Sequence, residues 1–359
     1  MKSINESEGK KALDKVINKS RVHLYKPIQI AEILYRDRVY GDIKIEDLET
    51  YRNQSKQWRD EICKKLVGRV STSNSRYQDN LFNENAIPPN LILELSEENK
   101  KNNGIIESYI YNKFKEKFTN LSEALSYCEI SNNSTFDLNT FLSKFTSNPG
   151  LKRSVDKIYE ITVYSLFSSL IEEMDISIEL KVNNPDNLMF QDFQDFTQKI
   201  LGINSINQIN ECPAKLFRVG ITNAADRGLD MWANFGLAIQ IKYLSLTEEI
   251  AESVSQSIQA DRIIIVCKDI EEKIIMTIIN KLGIKSHIQS IITLSELNSW
   301  YEKCMNNKHK NIGNKIIQTL KKQIILEFPS SNITHINDFL ISRSYEVRND
   351  DIEIPTNKH

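Results

Sequence analysis

Asp230, Gln240 and Lys242 are polar residues set among apolar ones, in the stretch RGLDMWANFGLAIQIKYLSLTEE from Arg227 to Glu249. Strand interiors are depleted in Asp, and Lys is almost never fully buried without a partner. Such groups close together mark either a site or a self-satisfied polar cluster. In GLAIQIKYL, period-two alternation puts Gln240 and Lys242 on one face with the small Ala238, and Ile239, Ile241 and Tyr243 on the other. Asp230 sits at or near the end of the preceding apolar run. The WANFG turn brings the two runs side by side, where cross-strand Cβ atoms lie about 4.5–5.5 Å apart. An Asp, a Gln and a Lys converging in this way suit a hard divalent cation beside a phosphate. Mg²⁺ prefers oxygen ligands, with few from the protein. Asp230 would supply an anionic oxygen and Gln240 a neutral amide oxygen. Lys242, while charged, would instead orient or activate an attacking water, or offset charge on phosphoryl oxygens.

One carboxylate leaves such a site short of negative charge. Glu160, in the strongly apolar run VDKIYEITVYSLFSSLIEEM, offers a second. Its alternative is a carboxylate at a helix edge paired with Lys157. The triplet also has an alternative, an Asp230–Lys242 ion pair steadied by Gln240. Asp226 is a rival acid, but it falls in the turn-like NAADRG, whereas Asp230 is embedded in apolar residues. Other chemistries lack their patterns. The five histidines show no HExxH spacing, and there is no GxxxxGK[ST], GxGxxG or GxSxG. Five cysteines, far apart and odd in number, read as reduced thiols rather than a zinc site or a disulfide framework.

The elements that must position these residues begin at Ser154. The run from Val155 to Met174 predicts a helix. FRVGITN, GLDMWA and GLAIQIKYL predict three strands. TEEIAESVSQSIQA predicts a helix with Thr247 or Ser245 as cap, and RIIIVCK a buried strand. EEKIIMTIINKLG predicts a helix closed by Gly283, and IQSIITL a further strand. Helix, three strands, helix, strand, helix, strand is a mixed α/β core.

The first ~90 residues read as helical within the usual boundary error. Pro27 suits a first helical turn. A second helix is predicted from Leu48 to Val67, with Trp58, Ile62 and Leu66 on its apolar face and Arg52, Lys56 and Arg59 as a basic stripe beside it. RVSTSNSRYQDN follows. Two short helices and a basic polar segment fit a helix-turn-helix or winged-helix reader of DNA, or else a plain helical hairpin with a solvated face. Pro88-Pro89 marks a break, and residues 95–150 read as weakly patterned helices with loops at SNNST and NPG. The expected division is a basic helical part (1–90), a helical connector (91–150), an α/β core (151–305) and a helical tail (306–359).

The net charge of −2 hides an asymmetry. Residues 1–80 carry 17 Lys+Arg and 12 Asp+Glu, the remainder 29 and 36. A basic head on an acidic body is where a polyanion would dock, though basic segments are often only solvated faces. No apolar run approaches the ~20 residues of a membrane helix, and MKSINESEGKKALDK lacks the apolar core of a signal peptide. A cytoplasmic location without a membrane partner is expected.

Asp followed by Gln-x-Lys on the next strand, within this element order, resembles the PD-(D/E)XK nucleases, in the Mrr-like variant with Gln at the second acid. RVHLYKPIQIAEILYRDR (21–38), QSKQWRDEICKKL (54–66), YQDNLFNENAIPP (77–89), GLKRSVDKIYE (150–160), VGITNAADRGLDMWANFGLAIQIK (219–242) and ADRIIIVCK (260–268) resemble the HaeII-type family of type II restriction endonucleases. The resemblance covers most of the chain, and the long runs are far more specific than the triplet. It implies a restriction-endonuclease-like fold, a mixed sheet flanked by helices with a mainly helical N-terminal part. It implies Mg²⁺-dependent double-strand cleavage of DNA at a short GC-rich palindrome of the RGCGCY kind, and a cognate DNA methyltransferase. Asp230, Gln240 and Lys242 fall on the catalytic positions, and Glu160 matches a helix carboxylate used by some relatives.

The expected activity is therefore that of a site-specific deoxyribonuclease. Asp230, Glu160 and Gln240 would hold the metal, Lys242 would assist an in-line water, and 5′-phosphates would result. A palindromic target implies two active sites and hence a homodimer. Arg52, Lys56, Arg59, Arg69, Asn74 and Arg76 are the candidate DNA contacts. The alternatives are a repair or junction nuclease of the same fold, which would cut by structure rather than sequence, and a non-catalytic DNA-binding regulator.

Overall fold

The computed structural model describes residues 7–20, 24–68, 70, 80–147, 151, 154–219, 229–242, 262–269, 276–277, 288–306, 310–328 and 333–345. Helices dominate its N-terminal part: α1 (Glu8–Lys19), α2 (Tyr25–Val39), α3 (Gln54–Val67), α4 (Pro89–Lys101), α5 (Ile105–Ile130) and α6 (Leu138–Thr146). Local chemistry sets several ends. The Ser7 hydroxyl accepts from the Lys10 N–H at the start of α1, and Asp137 accepts from Thr140 at the start of α6. Pro27 lies in the first turn of α2, as its missing N–H predicts. Gly68, at φ +77°, closes α3 in a conformation that a Cβ would strain. The expected helix from Leu48 is shorter than predicted. A 3₁₀ turn occupies Leu48–Thr50, and the α-helix begins only at Gln54.

The α/β part starts with α7 (Val155–Glu173), matching the predicted helix almost residue for residue. An unforeseen excursion follows: β1 (Ser177–Lys181), α8 (Leu188–Asp192), α9 (Gln194–Leu201) and β2 (Ile209–Pro213), with β1 and β2 forming an antiparallel pair of their own. The chain then enters a mixed five-stranded sheet in the order β3 (Leu216–Arg218), β4 (Met231–Ala233), β5 (Leu237–Lys242), β6 (Arg262–Cys267) and β7 (Ile288–Thr293). The pairs β3–β4 and β4–β5 are antiparallel, whereas β5–β6 and β6–β7 are parallel. Parallel neighbours need a crossover. The predicted helix TEEIAESVSQSIQA would supply one of them, but it lies outside the described residues, as does Gly283. Of EEKIIMTIINKLG only Met276 and Thr277 are described, and both are helical. Helices α10 (Leu294–Met305), α11 (Lys310–Glu327) and α12 (Ile333–Ser342) complete the chain, and α10 opens on a Thr293–Glu296 capping box. The fold is the expected restriction-endonuclease-like α/β arrangement, a mixed sheet with helices and a mainly helical N-terminal part.

Strand alternation divides the sheet into two faces. Leu216, Met231, Ala233, Ile239, Ile241, Val266 and Ile292 belong to the main buried cluster, together with Ile158, Ile161 and Leu166 of α7. Ala238, Ile263, Ile265 and Cys267 form a second cluster. The main cluster also holds Leu13 of α1, Ile33 of α2, Phe114 of α5 and Leu340 of α12, so one contiguous core joins early and late segments. Polar groups fasten this join. Arg38 grips Glu107 with two N–H groups at 2.9 Å each, and Arg343, just beyond α12, donates to Glu32 at 3.1 Å. Tyr345 donates to Glu107 and Tyr111 to Glu32.

Candidate active site

Asp230 stands one residue before β4, where its N–H still donates to the Ile239 carbonyl at 3.3 Å and its own carbonyl accepts from Val219 at 2.9 Å. The last β4–β5 pair is Met231 with Ile239. Beyond it the Asp230 carboxylate replaces the missing backbone acceptor, with Oδ2 taking the Ile241 N–H at 2.7 Å. The same oxygen accepts the Gln240 side-chain amide, Nε2 to Oδ2, at 2.6 Å. Hydrogen bonds to an ionised acceptor are short and strong, and these two hold the carboxylate in place.

Gln240 is 1% exposed, and its neighbours on that face are Ala238 and Ile265. Its Nε2 must face the acid, because a carboxylate only accepts. The other end of the amide, Oε1, is buried and has no hydrogen-bond partner among the described residues. A buried acceptor left unpaired costs about 1–3 kcal/mol. An amide oxygen and a carboxylate are both fitting ligands for a hard cation, so these residue types suit Mg²⁺ chemistry. Among the described residues there is no cluster of three His, Cys, Asp or Glu placed to hold a metal. Among the described residues this leaves one acid and one amide together, a sparse set of the kind with which Mg²⁺ takes most of its ligands from water and phosphate.

The backbone of Lys242 is the last residue of β5, two beyond Gln240 and paired with Cys267. Its side chain lies outside the described residues, as does the whole of Asp226, and the alternative Asp230–Lys242 ion pair falls there too.

Glu160 has a different setting. It is 3% exposed on α7, and both carboxylate oxygens are taken. Arg218 Nε donates to Oε1 at 2.9 Å, and Lys157 Nζ to Oε2 at 2.6 Å. Arg218, its side chain 2% exposed, also reaches Gln323 Oε1 at 2.9 Å and Glu327 Oε2 at 2.6 Å on α11. In register Arg218 sits opposite Met231, in the row that continues to Ile239 and faces α7. Asp230 and Gln240 fall in the adjacent row, whose residues alternate to the other face. The structure thus brings Asp230 to Gln240 and brings Glu160 to Arg218. Arg218 went unnoticed in the sequence; an Arg within the apolar run LFRV was the available signal.

Of the candidate DNA contacts, Arg69, Asn74 and Arg76 lie outside the described residues. Arg52 is part-exposed and its guanidinium meets Glu49 at 2.9 Å; Lys56 is half-buried. Arg59 turns inward, with its side chain 2% exposed. Its Nη1 donates to the buried Gln29 Oε1 at 3.3 Å, and Asp60 lies 2.6 Å from its Nη2. The buried face of α3 runs through Ser55, Arg59, Cys63 and Leu66. The expected stripe of three cations is therefore split, with Arg59 in the interior.

The profile of the HaeII restriction endonuclease family matches residues 9–345. The chain belongs to the HaeII restriction endonuclease family. Among its relatives, the type II restriction enzyme HaeII of Haemophilus aegyptius is 52% identical over 337 residues, covering 94% of this chain and 96% of the relative. The type II restriction enzyme NgoBI of Neisseria gonorrhoeae is 48% identical over 346 residues, covering 96% and 98%. No solved structure matches. As a HaeII-family member over nearly its whole length, the chain is a type II restriction endonuclease, an enzyme. No helix among the described residues is long and apolar enough to cross a membrane.

Proposed function

We propose that this restriction endonuclease makes Mg²⁺-dependent double-strand cuts in DNA at a short GC-rich palindrome of the RGCGCY kind, leaving 5′-phosphates and 3′-hydroxyls. The observation that carries the site assignment is the Asp230–Gln240 contact, which leaves the Gln240 amide oxygen buried and unpaired among the described residues. Family membership supplies the reaction class, and the triplet resembles that of the PD-(D/E)XK nucleases.

Asp230 and Gln240 would hold the metal in this reading, and the metal would supply Lewis-acid stabilisation of the phosphoryl oxygens and help activate water. Asp230 needs a fixed carboxylate for this, and the Ile241 N–H fixes it. Lys242 orients the attacking water or offsets the charge that grows on the scissile phosphate. Glu160, expected from the sequence to be a metal ligand, is assigned instead to holding Arg218, because both its oxygens already accept from cations. Arg52 and Lys56, with Arg69, Asn74 and Arg76, contact DNA from the basic head. Most such contacts would be to phosphate. The 151–305 core carries the chemistry, and residues 1–90 the recognition.

A palindrome read by identical chains is met by a two-fold dimer, so the working enzyme is a homodimer. It acts in the cytoplasm beside a cognate methyltransferase that protects the same sequence. The test is digestion of plasmid DNA in Mg²⁺ and in EDTA, with the ends sequenced. Discrete fragments only in Mg²⁺, all ending at one palindrome with 5′-phosphates, are expected. Fragments ending at junctions or lesions without a common sequence would replace this reading with that of a repair nuclease.

A further inference from the structure

The excursion between α7 and β3 exposes what a helix normally hides. Eleven of the twenty large apolar side chains exposed among the described residues fall between Met174 and Ile209. Phe193, Phe196 and Ile200 are 51, 54 and 66% exposed. They stand at i, i+3 and i+7, one stripe along α9 and its start, the stripe an amphipathic helix buries against its core. Leu188 and Met189 of α8 are 74 and 67% exposed, and Ile206 reaches 88%. On α8 and α9 with its start, Leu188, Met189, Phe193, Phe196, Ile200 and Leu201, exposed by 41–74%, together present on the order of 500 Å² of apolar side chain. Monomeric proteins rarely leave a patch above a few hundred Å² uncovered.

Charge narrows the occupant. Residues 174–213 carry six acidic residues against Lys181 and Lys199, which repels DNA and anionic lipid; the same surplus meets itself in a second copy, so apolar burial must hold such a pair and salt should tighten it. Interfaces are only about 57% apolar, so this apolar area fits the ~800 Å² that each partner of a standard protein interface contributes. Both ends of the excursion are tied to the nuclease core, leaving α7 at one end and entering β3 two residues after β2 at the other. At its exit, Asn234 just after β4 donates to the Pro213 carbonyl at 3.0 Å. A two-stranded sheet is marginal alone and gains from further packing.

We propose that the 174–213 excursion is the surface on which a second copy of this chain docks, building the active dimer. The proposal rests on the two-copy reading above and names its interface. It is isologous: the α8–α9 apolar surface of one subunit meets the same surface of the other across the two-fold axis.

The test is sedimentation of the full chain at micromolar concentration, with and without a duplex carrying the target. Three proteins are compared: wild type, Phe196→Glu/Ile200→Glu, and the control Ile130→Glu/Ile341→Glu, which charges apolar residues 80 and 66% exposed elsewhere. Wild type and control are expected at twice the 41.5 kDa chain mass. The α9 variant is expected at the single mass with an unchanged circular dichroism spectrum. It should nick plasmid DNA before linearising it, whereas wild type cuts both strands together. Met189→Arg on α8, at a side chain 67% exposed, provides the same comparison should the double variant lose its spectrum. A folded α9 variant that stays dimeric would overturn the interface while leaving the dimer standing, and would give the patch to another protein. A control that dissociates equally would overturn it too. A wild type that is monomeric with and without DNA would overturn both the interface and the two-copy reading.

Discussion

The amide nitrogen of Gln240 and the carboxylate of Asp230 meet at 2.6 Å, and that contact leaves Gln240 Oε1 buried without a hydrogen-bond partner among the described residues. Two requirements are in tension at this point. The amide orients the acid, yet it keeps an acceptor in the interior that only a donor or a cation can satisfy. A stable core would place an apolar residue there; a metal site would not.

Replacing Gln240 therefore separates the two requirements. Gln240→Leu removes the unpaired oxygen and the contact to Asp230 together, so stability changes little while cleavage falls by about 10²-fold or more, the scale of losing one positioned polar group. Gln240→Glu sets two carboxylates side by side, and like charges that close disfavour ionisation of both. Its melting temperature is expected to fall without divalent ions and to rise on adding Mg²⁺ by more than wild type does. Thermal melts with and without Mg²⁺ read both effects, and an equal Mg²⁺ shift in the two proteins contradicts the assignment.

Glu160 and Arg218 are expected to behave as a structural pair. Arg218→Ala strips the cation from buried Glu160 and Glu327, and breaking a buried pair in this way costs about 3–5 kcal/mol. Glu160→Gln should lose about 1–3 kcal/mol, the cost of weakening bonds to charged groups, while cleaving DNA at a near wild-type rate per folded molecule. Denaturant melts and single-turnover rates on the same samples check this. A folded Glu160→Gln protein without activity would return Glu160 to the metal.

The three cations of α3 should divide by burial. Arg52→Ala and Lys56→Ala are expected to leave stability within about 0.5 kcal/mol and to lower the salt dependence of DNA affinity by about one phosphate contact each. Arg59→Ala removes a buried guanidinium from Gln29 and Asp60, so it should lower the melting temperature clearly. Affinity measured against salt concentration, beside thermal melts, distinguishes the two classes.

Glu32 should give the folded protein a recognisable pH response. Burial raises its carboxyl pKa above the ordinary value of 4.5, outweighing the nearby Arg343 cation and the hydrogen bonds from Tyr111 and Arg343. The folded state then binds more protons than the unfolded state, so this group's contribution to stability is full below 4.5 and is lost as pH rises through its raised folded value. Glu32→Gln should lack that decline. Denaturant melts of both proteins from pH 4 upward are expected to show the variant gaining on wild type as pH rises, and a constant difference would contradict the shift.

Much of the α/β order was legible because its elements are long or strongly apolar. RIIIVC and the run from Val155 to Glu173 leave one secondary structure each, and the Asp–Gln contact follows from strand period and a short turn. Arg59 reads from the sequence as part of a basic stripe because the apolar period points to Trp58, Ile62 and Leu66. The buried stripe lies one residue over, where Gln29 and Asp60 satisfy the cation, a tertiary fact with no local signal. Glu160 was ambiguous for the same reason: its partner Arg218 comes 58 residues later, on another element. The excursion was passed over because its Asn-rich turns and exposed apolar residues match neither a buried helix nor a buried strand.

The most direct test of the central claim is single-turnover cleavage of a duplex carrying the palindrome by Lys242→Ala and Asp230→Asn, with duplex affinity measured in Ca²⁺ on the same proteins. The account predicts near wild-type folding and binding in both, with cleavage in Mg²⁺ lost by at least about 10²-fold. Folded variants that cut at the wild-type rate would place the chemistry elsewhere in the chain.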